Sequence, residues 1–295
     1  MSTNEDSSDS MTAKLVKGCL SDDEIEKTAS LLTLVWPNSD FSREYLYWLY
    51  CENPAGSAET YNVWDKGQIV AHYAAIPVKA KLFGNNEKGL LSLNTAVHPL
   101  HRGKGYFKTL ATRTFEDAHA SGANFVVGVA NANSTVLFRR QLRFQLVCPL
   151  SVKIGLGSIK HLSKQVKEEQ EYVQSLDEQT LAWRIKKPGT KYRFIERNDS
   201  LSILCDTGRY GIWAIMNKVE SSKIDMPHPP LYRWNPFTLW IGLDSSCDWK
   251  NSLYINLPDR FKASPLNLVF KDLSGHGRTL NSKNILFSLL DFDAF

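Results

Sequence analysis

Apolar positions change their spacing several times along this chain, and each change marks an element. Ser21 and Glu24 form an S-x-x-E capping pattern, and Ile25, Ala29, Leu32 and Val35 follow at helical spacing. The pattern predicts a helix that runs to Trp36 and stops at Pro37. A second helix, residues 42–52, carries Tyr45, Leu46, Trp48, Leu49 and Tyr50, and Asn53-Pro54-Ala55-Gly56 closes it as a turn. Three β-rich runs follow at 61–64, 68–82 and 89–97, separated by Asp-Lys-Gly and Gly-Asn-Asn turns, and predict an antiparallel meander. Residues 105–120 return to helical spacing, with Phe107, Leu110, Ala111, Phe115 and Ala118 on one face. The run at 125–130, FVVGVA, is wholly apolar, as in a strand buried on both faces. A helix at 134–142 and a strand at 144–156 complete an ααβββαβαβ order.

Residues 157–175 are polar and are expected to link two domains. Beyond them, Leu181-Ala182-Trp183-Arg184-Ile185, then Pro188-Gly189 and Tyr192, echo Leu46-Tyr47-Trp48-Leu49-Tyr50, then Pro54, Gly56 and Tyr61. In both places a Trp-bearing helix ends at a Pro and Gly turn and feeds a strand, a turn and a longer strand, which predicts a degenerate tandem repeat. Further strands are expected at 211–216, 237–243, 252–257, 266–273 and 285–292, with a loop at 226–230 and no catalytic motif. Gly275-His276-Gly277-Arg278 lies between two of these strands and reads as a hairpin turn.

Composition narrows the class. The 295 residues are 43% apolar, enough for a sizeable core. Charge is nearly balanced, 35 Lys plus Arg against 31 Asp plus Glu, which gives no support for a nucleic-acid or membrane surface. The five cysteines are scattered with no CxxC spacing, so neither a disulfide framework nor a zinc knuckle is expected, and no metal is implied. Residues 1–14 are polar and no stretch of about 18 apolar residues occurs, so the expected location is cytoplasmic, with no membrane span.

The stretch richest in chemistry is Leu93 to Phe107, LNTAVHPLHRGKGYF. A strand runs into a glycine-punctuated turn that opens an amphipathic helix, so unbonded backbone N–H groups and the positive helix end converge on one point suited to a phosphate. Gly103 and Gly105 let the backbone approach a pyrophosphate, and Arg102 and Lys104 add charge. The other reading is an ordinary strand-to-helix turn with a solvated basic rim. About 25 residues on, the apolar strand 125–130 is followed by Asn131-Ala132-Asn133-Ser134 and a helix ending in Leu142-Arg143-Phe144.

Those two segments resemble the GNAT superfamily of acyl-CoA-dependent N-acyltransferases, and the resemblance covers about residues 14–156. Arg102-Gly103-Lys104-Gly105-Tyr106-Phe107 is similar to the family's pyrophosphate motif, Q/R-x-x-G-x-G/A, departing at Phe107; Leu-Arg-Phe stands where Leu-Gly-Phe is usual. The resemblance implies an α+β fold with a mixed α/β sheet and an acyl-CoA co-substrate, acetyl-CoA or a short hydroxyacyl-CoA. It implies that Thr95, Ala96 and Val97 present backbone groups to the pantetheine arm, that residues 102–107 hold the pyrophosphate, and that Asn131 or Asn133 binds the pantetheine or thiol end. Phe138 falls where many members carry the Tyr that protonates the thiolate. Asn94 falls where an acidic residue is frequent, so no strong base is visible. His72 is the best remaining proton acceptor, or a structural strand histidine. His98 and His101 flank the loop and either approach phosphates or are solvated.

The domain expectations are a disordered leader at 1–13, a GNAT acyl-CoA-binding catalytic domain at 14–156, a linker at 157–175 and a GNAT-like domain at 176–295. A weak base suits an acceptor amine with an ordinary pKa near 8 better than a lysine. Tyr45, Trp48 and Tyr50 either stack a nucleobase or sugar ring of such an acceptor or pack in the core. The resemblance is closest to nucleotide-sugar N-acyltransferases, which implies a dTDP-amino-dideoxysugar acceptor used for surface polysaccharide. A protein or peptide amine acetyltransferase and a non-catalytic acyl-CoA sensor are the alternatives.

Overall fold

The structure is a computed structural model that describes residues 13–161, 170–197, 200–209, 211–220, 237–262 and 264–292. Most of the leader, residues 162–169 of the linker and the loop at 226–230 lie outside the described residues. Helix α1 (Asp22–Val35) begins at Ser21, whose Oγ accepts a hydrogen bond from Glu24 N at 3.3 Å. The reciprocal half of the capping box does not form, because the Glu24 side chain turns into the core. Helix α2 (Arg43–Cys51) is capped by Ser42. The meander is β2 (Glu59–Asp65), β3 (Gln68–Leu82) and β4 (Asn85–Val97). The exposed edge strand β1 (Lys14–Lys17) extends it; four residues with no buried position gave the sequence pattern nothing to show. Then come α3 (Tyr106–Ala120), β5 (Phe125–Ala130) and α4 (Ala132–Leu142), each within two residues of its expected bounds.

The strand expected at 144–156 is two strands, β6 (Gln145–Pro149) and β7 (Ser151–Leu156), in different sheets. Pro149 has no N–H to extend a ladder, and Leu150 N instead donates to Leu266 O at 2.7 Å, which turns the chain. The remaining elements are β8 (Tyr172–Gln174), α5 (Glu178–Arg184), β9 (Tyr192–Arg197), β10 (Ser200–Asp206), β11 (Trp213–Glu220), β12 (Thr238–Gly242), β13 (Leu253–Asn256), β14 (Asn267–Asp272) and β15 (Ile285–Leu286). The strand expected over 285–292 is reduced to β15, because Ser288 N and Oγ both donate to Asp291 Oδ2, at 2.6 and 2.7 Å, and tie the chain into a turn. The glycine-rich segment at 275–277 is a bend that opens no helix. It is not a hairpin, since β14 pairs with β5 and β6 and β15 pairs with β8.

The two halves carry the same sheet. The first runs β2-β3-β4-β5-β14-β6 and the second β9-β10-β11-β12-β7-β13, with a parallel pairing at the same place, β4 with β5 and β11 with β12. Each half lends one strand to the other. β14 inserts between β5 and β6, and β7 inserts between β12 and β13. The boundary expected after 156 therefore does not separate two sheets. Nor is all of 157–175 a linker, since β8 pairs with β3.

Two tryptophans, one from each half, meet where the halves join. Trp48 and Trp183 stack with centroids 4.9 Å apart and planes at 22°, and each indole donates to the other's backbone carbonyl, Trp48 Nε1 to Trp183 O at 2.9 Å and Trp183 Nε1 to Trp48 O at 3.0 Å. The sequence echo around them is thus a spatial contact. One core packs α1, α2 and α5 against both sheets, with Leu32, Leu46, Leu49, Ile76 and Ile203 at its centre. The other lies under α3 and α4, with Leu110, Phe115 and Val126.

Candidate active site

Strands β4 and β5 pair in parallel from Gly89 with Phe125 to Ser92 with Gly128, and there the ladder ends. Both strands continue, β4 to Val97 and β5 to Ala130, so an opening forms between them. A β-bulge starts the divergence. Asn94 and Thr95 together oppose Tyr73, and Asn94 takes φ 43°, a left-handed conformation that a side chain adopts at a cost. The segment 94–97 beside the opening has its inner edge held by β3, and Thr95 and Val97 are half-buried.

At the end of β4, His98 N donates to Val70 O and its Nδ1 accepts from Leu100 N, which starts a short 3-10 turn at Pro99–His101. His101 lies over Asp65 at 3.7 Å. Gly103 and Gly105 have φ 79° and 76°, and Gly105 caps α3 with no side-chain hydrogen bond, so the first turn's N–H groups are left for a ligand. A Cβ on either glycine would meet no protein atom within 4 Å, so the cradle is open on that side. Arg102 and Lys104 are exposed beside it. Tyr106 is half-buried. Phe107 sends its ring down against Tyr73 and Phe138, so only its backbone is available to the loop.

The other expected site residues fall differently. Asn131 caps α4, its Oδ1 accepting from Ser134 N at 2.9 Å and Ser134 Oγ at 3.0 Å, while Asn133 is exposed on the first turn. Phe138 is 7% exposed and packs edge-on against Phe107 and Phe144, so its ring is core and faces no thiol. Tyr45, Trp48 and Tyr50 are all buried, which removes them as a stacking platform for a base or sugar. Trp48 is taken by Trp183, Tyr45 packs between Phe41 and Trp48, and Tyr50 points into the sheet. On this helix the ring left exposed is Tyr47.

His72 is 1% exposed with both ring nitrogens bonded, so it touches no acceptor. Burial lowers its pKa to about 3, so the ring is neutral. It belongs to a buried file. Asn94 Nδ2 donates to Tyr50 Oη at 3.1 Å, Tyr50 Oη meets His72 Nε2 at 3.0 Å, His72 Nδ1 meets Asn62 Oδ1 at 2.7 Å, and Asn62 Nδ2 donates to Glu24 Oε1 at 2.8 Å. Glu24 Oε2 also accepts from Cys19 N and Sγ. Burial raises the Tyr50 pKa, against the smaller effect of Asn94, so the phenol keeps its proton. Sequence reading took Glu24 for a cap and passed over Asn62. The available signal was an inward-facing polar residue on β2 directly opposite a histidine on β3. Among the described residues, His161, Asp244 and Cys247 bring three possible metal donors within 4.8 Å of one another, in the second half and with the Ser246 hydroxyl 3.2 Å from His161 Nδ1.

Residues 19–141 match the family model described as an acetyltransferase (GNAT) domain. Those residues are therefore similar to a GNAT acetyltransferase domain. The glycine loop and the β4/β5 opening lie inside the matched residues. Solved structures share the fold. A protein from Enterococcus faecalis V583 described as a probable N-acyltransferase is 11% identical over 89% of this chain and 73% of its own, with a TM-score of 0.61. A GCN5-related N-acetyltransferase from Anabaena variabilis is 11% identical over 88% and 73%, with a TM-score of 0.58. A tandem GNAT protein from the clavulanic acid biosynthesis pathway is 9% identical over 88% and 98%, with a TM-score of 0.53. No curated protein matches the chain. Among the described residues no helix is long and apolar enough to cross a membrane.

Proposed function

We propose that the chain transfers an acyl group from acyl-CoA to the amine of a small molecule, with the pyrophosphate on the Gly103–Gly105 loop and the pantetheine arm along residues 95–97 in the β4/β5 opening. The observation that carries this is the parallel ladder that ends at Ser92 and Gly128 while both strands continue, β4 toward the glycine-capped α3 and β5 toward the Asn131-capped α4. Backbone groups on β4 beyond Ser92 have no partner on β5, which suits an extended amide-bearing arm that adds its own hydrogen bonds. Helix N-termini attract phosphate through unbonded N–H groups and the helix dipole.

In the transfer, the amine nitrogen bonds to the thioester carbonyl carbon and the C–S bond breaks. The amine proton leaves to solvent and the thiolate leaves as CoA. With His72 neutral, buried and doubly bonded, and with no hydroxyl at Phe138, orientation carries the rate rather than a strong protein base. An amine with a sizeable neutral fraction at pH 7 is the acceptor this arrangement favours.

A nucleotide-linked amino sugar, of the dTDP-amino-dideoxysugar kind, is the acceptor class that the sequence resemblance supports; the buried aromatic helix adds nothing to it. The test is CoA release from several acyl-CoAs against a panel of nucleotide amino sugars, free amino sugars and peptide amines. Release with the nucleotide amino sugars above the others is expected. Release with peptides alone would overturn the acceptor, and acyl-CoA binding without release to any amine would leave an acyl-CoA-binding protein.

A further inference from the structure

The buried file between α1 and the β4 bulge has a direction, and the direction is fixed at one end. Glu24 is 5% exposed, and its two carboxylate oxygens receive three donors, the Cys19 backbone N–H, the Cys19 thiol and Asn62 Nδ2. A carboxylate in this role only accepts, so Asn62 must turn its NH2 to Glu24 and its oxygen to His72. His72 must then carry its proton on Nδ1, which leaves Nε2 as an acceptor for the Tyr50 hydroxyl. Tyr50 oxygen in turn accepts from Asn94 Nδ2, and Asn94 Oδ1 is left with no protein partner among the described residues. Asn62 and His72 are 0% and 1% exposed, so no solvent can invert the sequence of donors from within. Asn94 is half-buried at the bulge where β4 leaves β5.

We propose that the Glu24 carboxylate sets the hydrogen-bond polarity of the acyl site: through Asn62, His72 and Tyr50 it holds Asn94 with its carbonyl oxygen directed to the β4/β5 opening, where that oxygen receives an N–H of the acceptor amine. This rests on the reading of the opening as the acyl site. Glu24, Asn62, His72 and Tyr50 are positioning residues, since none of them touches the opening. Receiving one N–H aims the amine lone pair, which orientation-driven catalysis requires. The opposite polarity would turn an NH2 to the amine, donor against donor.

Glu24→Gln is nearly the same shape and reverses the file. The Cys19 backbone N–H still needs an acceptor, so the new amide gives it the oxygen and turns NH2 toward Asn62. Asn62 then flips, His72 moves its proton from Nδ1 to Nε2, Tyr50 donates to Asn94, and NH2 faces the opening. The reporter is His72 itself, in protein with 15N-labelled histidine rings, its resonances assigned by their loss in His72→Asn. The parent should show a neutral Nδ1–H ring and E24Q a neutral Nε2–H ring. Acyl transfer should fall about tenfold in E24Q, the worth of one hydrogen bond in the reacting geometry, with acyl-CoA affinity within about twofold. Tyr50→Phe, which cuts the file beside Asn94, should lose transfer similarly while His72 keeps its Nδ1 proton. The same tautomer in E24Q as in the parent overturns the proposal, as does a switched tautomer with an unchanged rate. An Nε2–H ring in the parent overturns it whether or not E24Q folds. A parent that binds acyl-CoA and acylates no amine removes the acyltransferase reading, and with it the role of the Asn94 oxygen, while the tautomers still decide whether Glu24 sets the polarity.

Discussion

Replacing Trp48 separates two roles that an aromatic residue on α2 could have. Trp48 is 2% exposed, stacked on Trp183 and bonded to its carbonyl, while Trp183 is bonded back to the carbonyl of residue 48. Trp48→Ala removes the ring and one N–H but leaves the backbone carbonyl that Trp183 uses. The expected loss is about 3 to 5 kcal/mol, as for other buried Trp truncations. Trp48→Phe keeps one ring of the stack and removes the other with its N–H; Trp183 O keeps its bond from Lys186 N at 3.0 Å, so the loss, mostly of packing, should be about 1 to 3 kcal/mol. Because the halves mirror each other, Trp183→Phe should cost the same within about 1 kcal/mol. The two rings stack on each other, so the Phe/Phe double variant should depart from additivity by about 0.5 to 3 kcal/mol. Urea unfolding gives all four values, and calorimetry on the soluble variants should show acyl-CoA affinity within about twofold of the parent. An Ala variant as stable as the parent, with only the acceptor KM raised, would refute this account and return the helix to the acceptor site.

Gly105→Val should abolish acyl-CoA binding, measured by calorimetry. Its Cβ meets no protein atom, so the clash is with the ligand, and the φ of 76° adds about 1 to 2 kcal/mol of strain that unfolding should register. His72 makes the protein acid-sensitive. Its folded pKa of about 3 lies below the ordinary value of 6.5, so its contribution is full above pH 6.5 and is lost as pH falls toward 3, by about 1.4 kcal/mol per pH unit. His72→Asn should flatten the stability-pH curve over that window, and an unchanged slope would count against the buried neutral ring. Arg278 joins Glu87 at 2.6 Å and Asp272 at 2.9 Å, tying the end of β14 to β4. Burial pushes the Asp272 carboxyl up, but its bonds from Ser274 and Arg278 outweigh this and hold it at about 2. Arg278→Ala leaves two partly buried carboxylates facing each other and should cost about 3 kcal/mol in urea unfolding.

Local patterns carried most of the first half of the molecule. Helical spacing in α1, α2 and α3, the apolar run of β5 and the glycines before α3 are properties of neighbours in sequence, so the elements and the loop were legible within a residue or two. The tandem repeat was legible too, through Trp48 and Trp183, because the duplicated helices keep the residue that joins them. Only the tertiary structure decided where β7 and β14 go. Both are ordinary strands in sequence, and which sheet receives them depends on the edge each half leaves open, a long-range matter of topology. The same holds for the site. Tyr45, Trp48 and Tyr50 look like a ligand platform on an isolated helix, and tertiary packing buries them, Tyr45 against Phe41, Trp48 against Trp183 of the second half and Tyr50 against His72. His72 looks like a base on an isolated strand, and in the fold burial makes it neutral while Tyr50 and Asn62, brought from two other elements, bond both of its ring nitrogens. Hydrogen-bond direction is set by the last acceptor in a chain of contacts, and no spacing along the sequence records which residue that is.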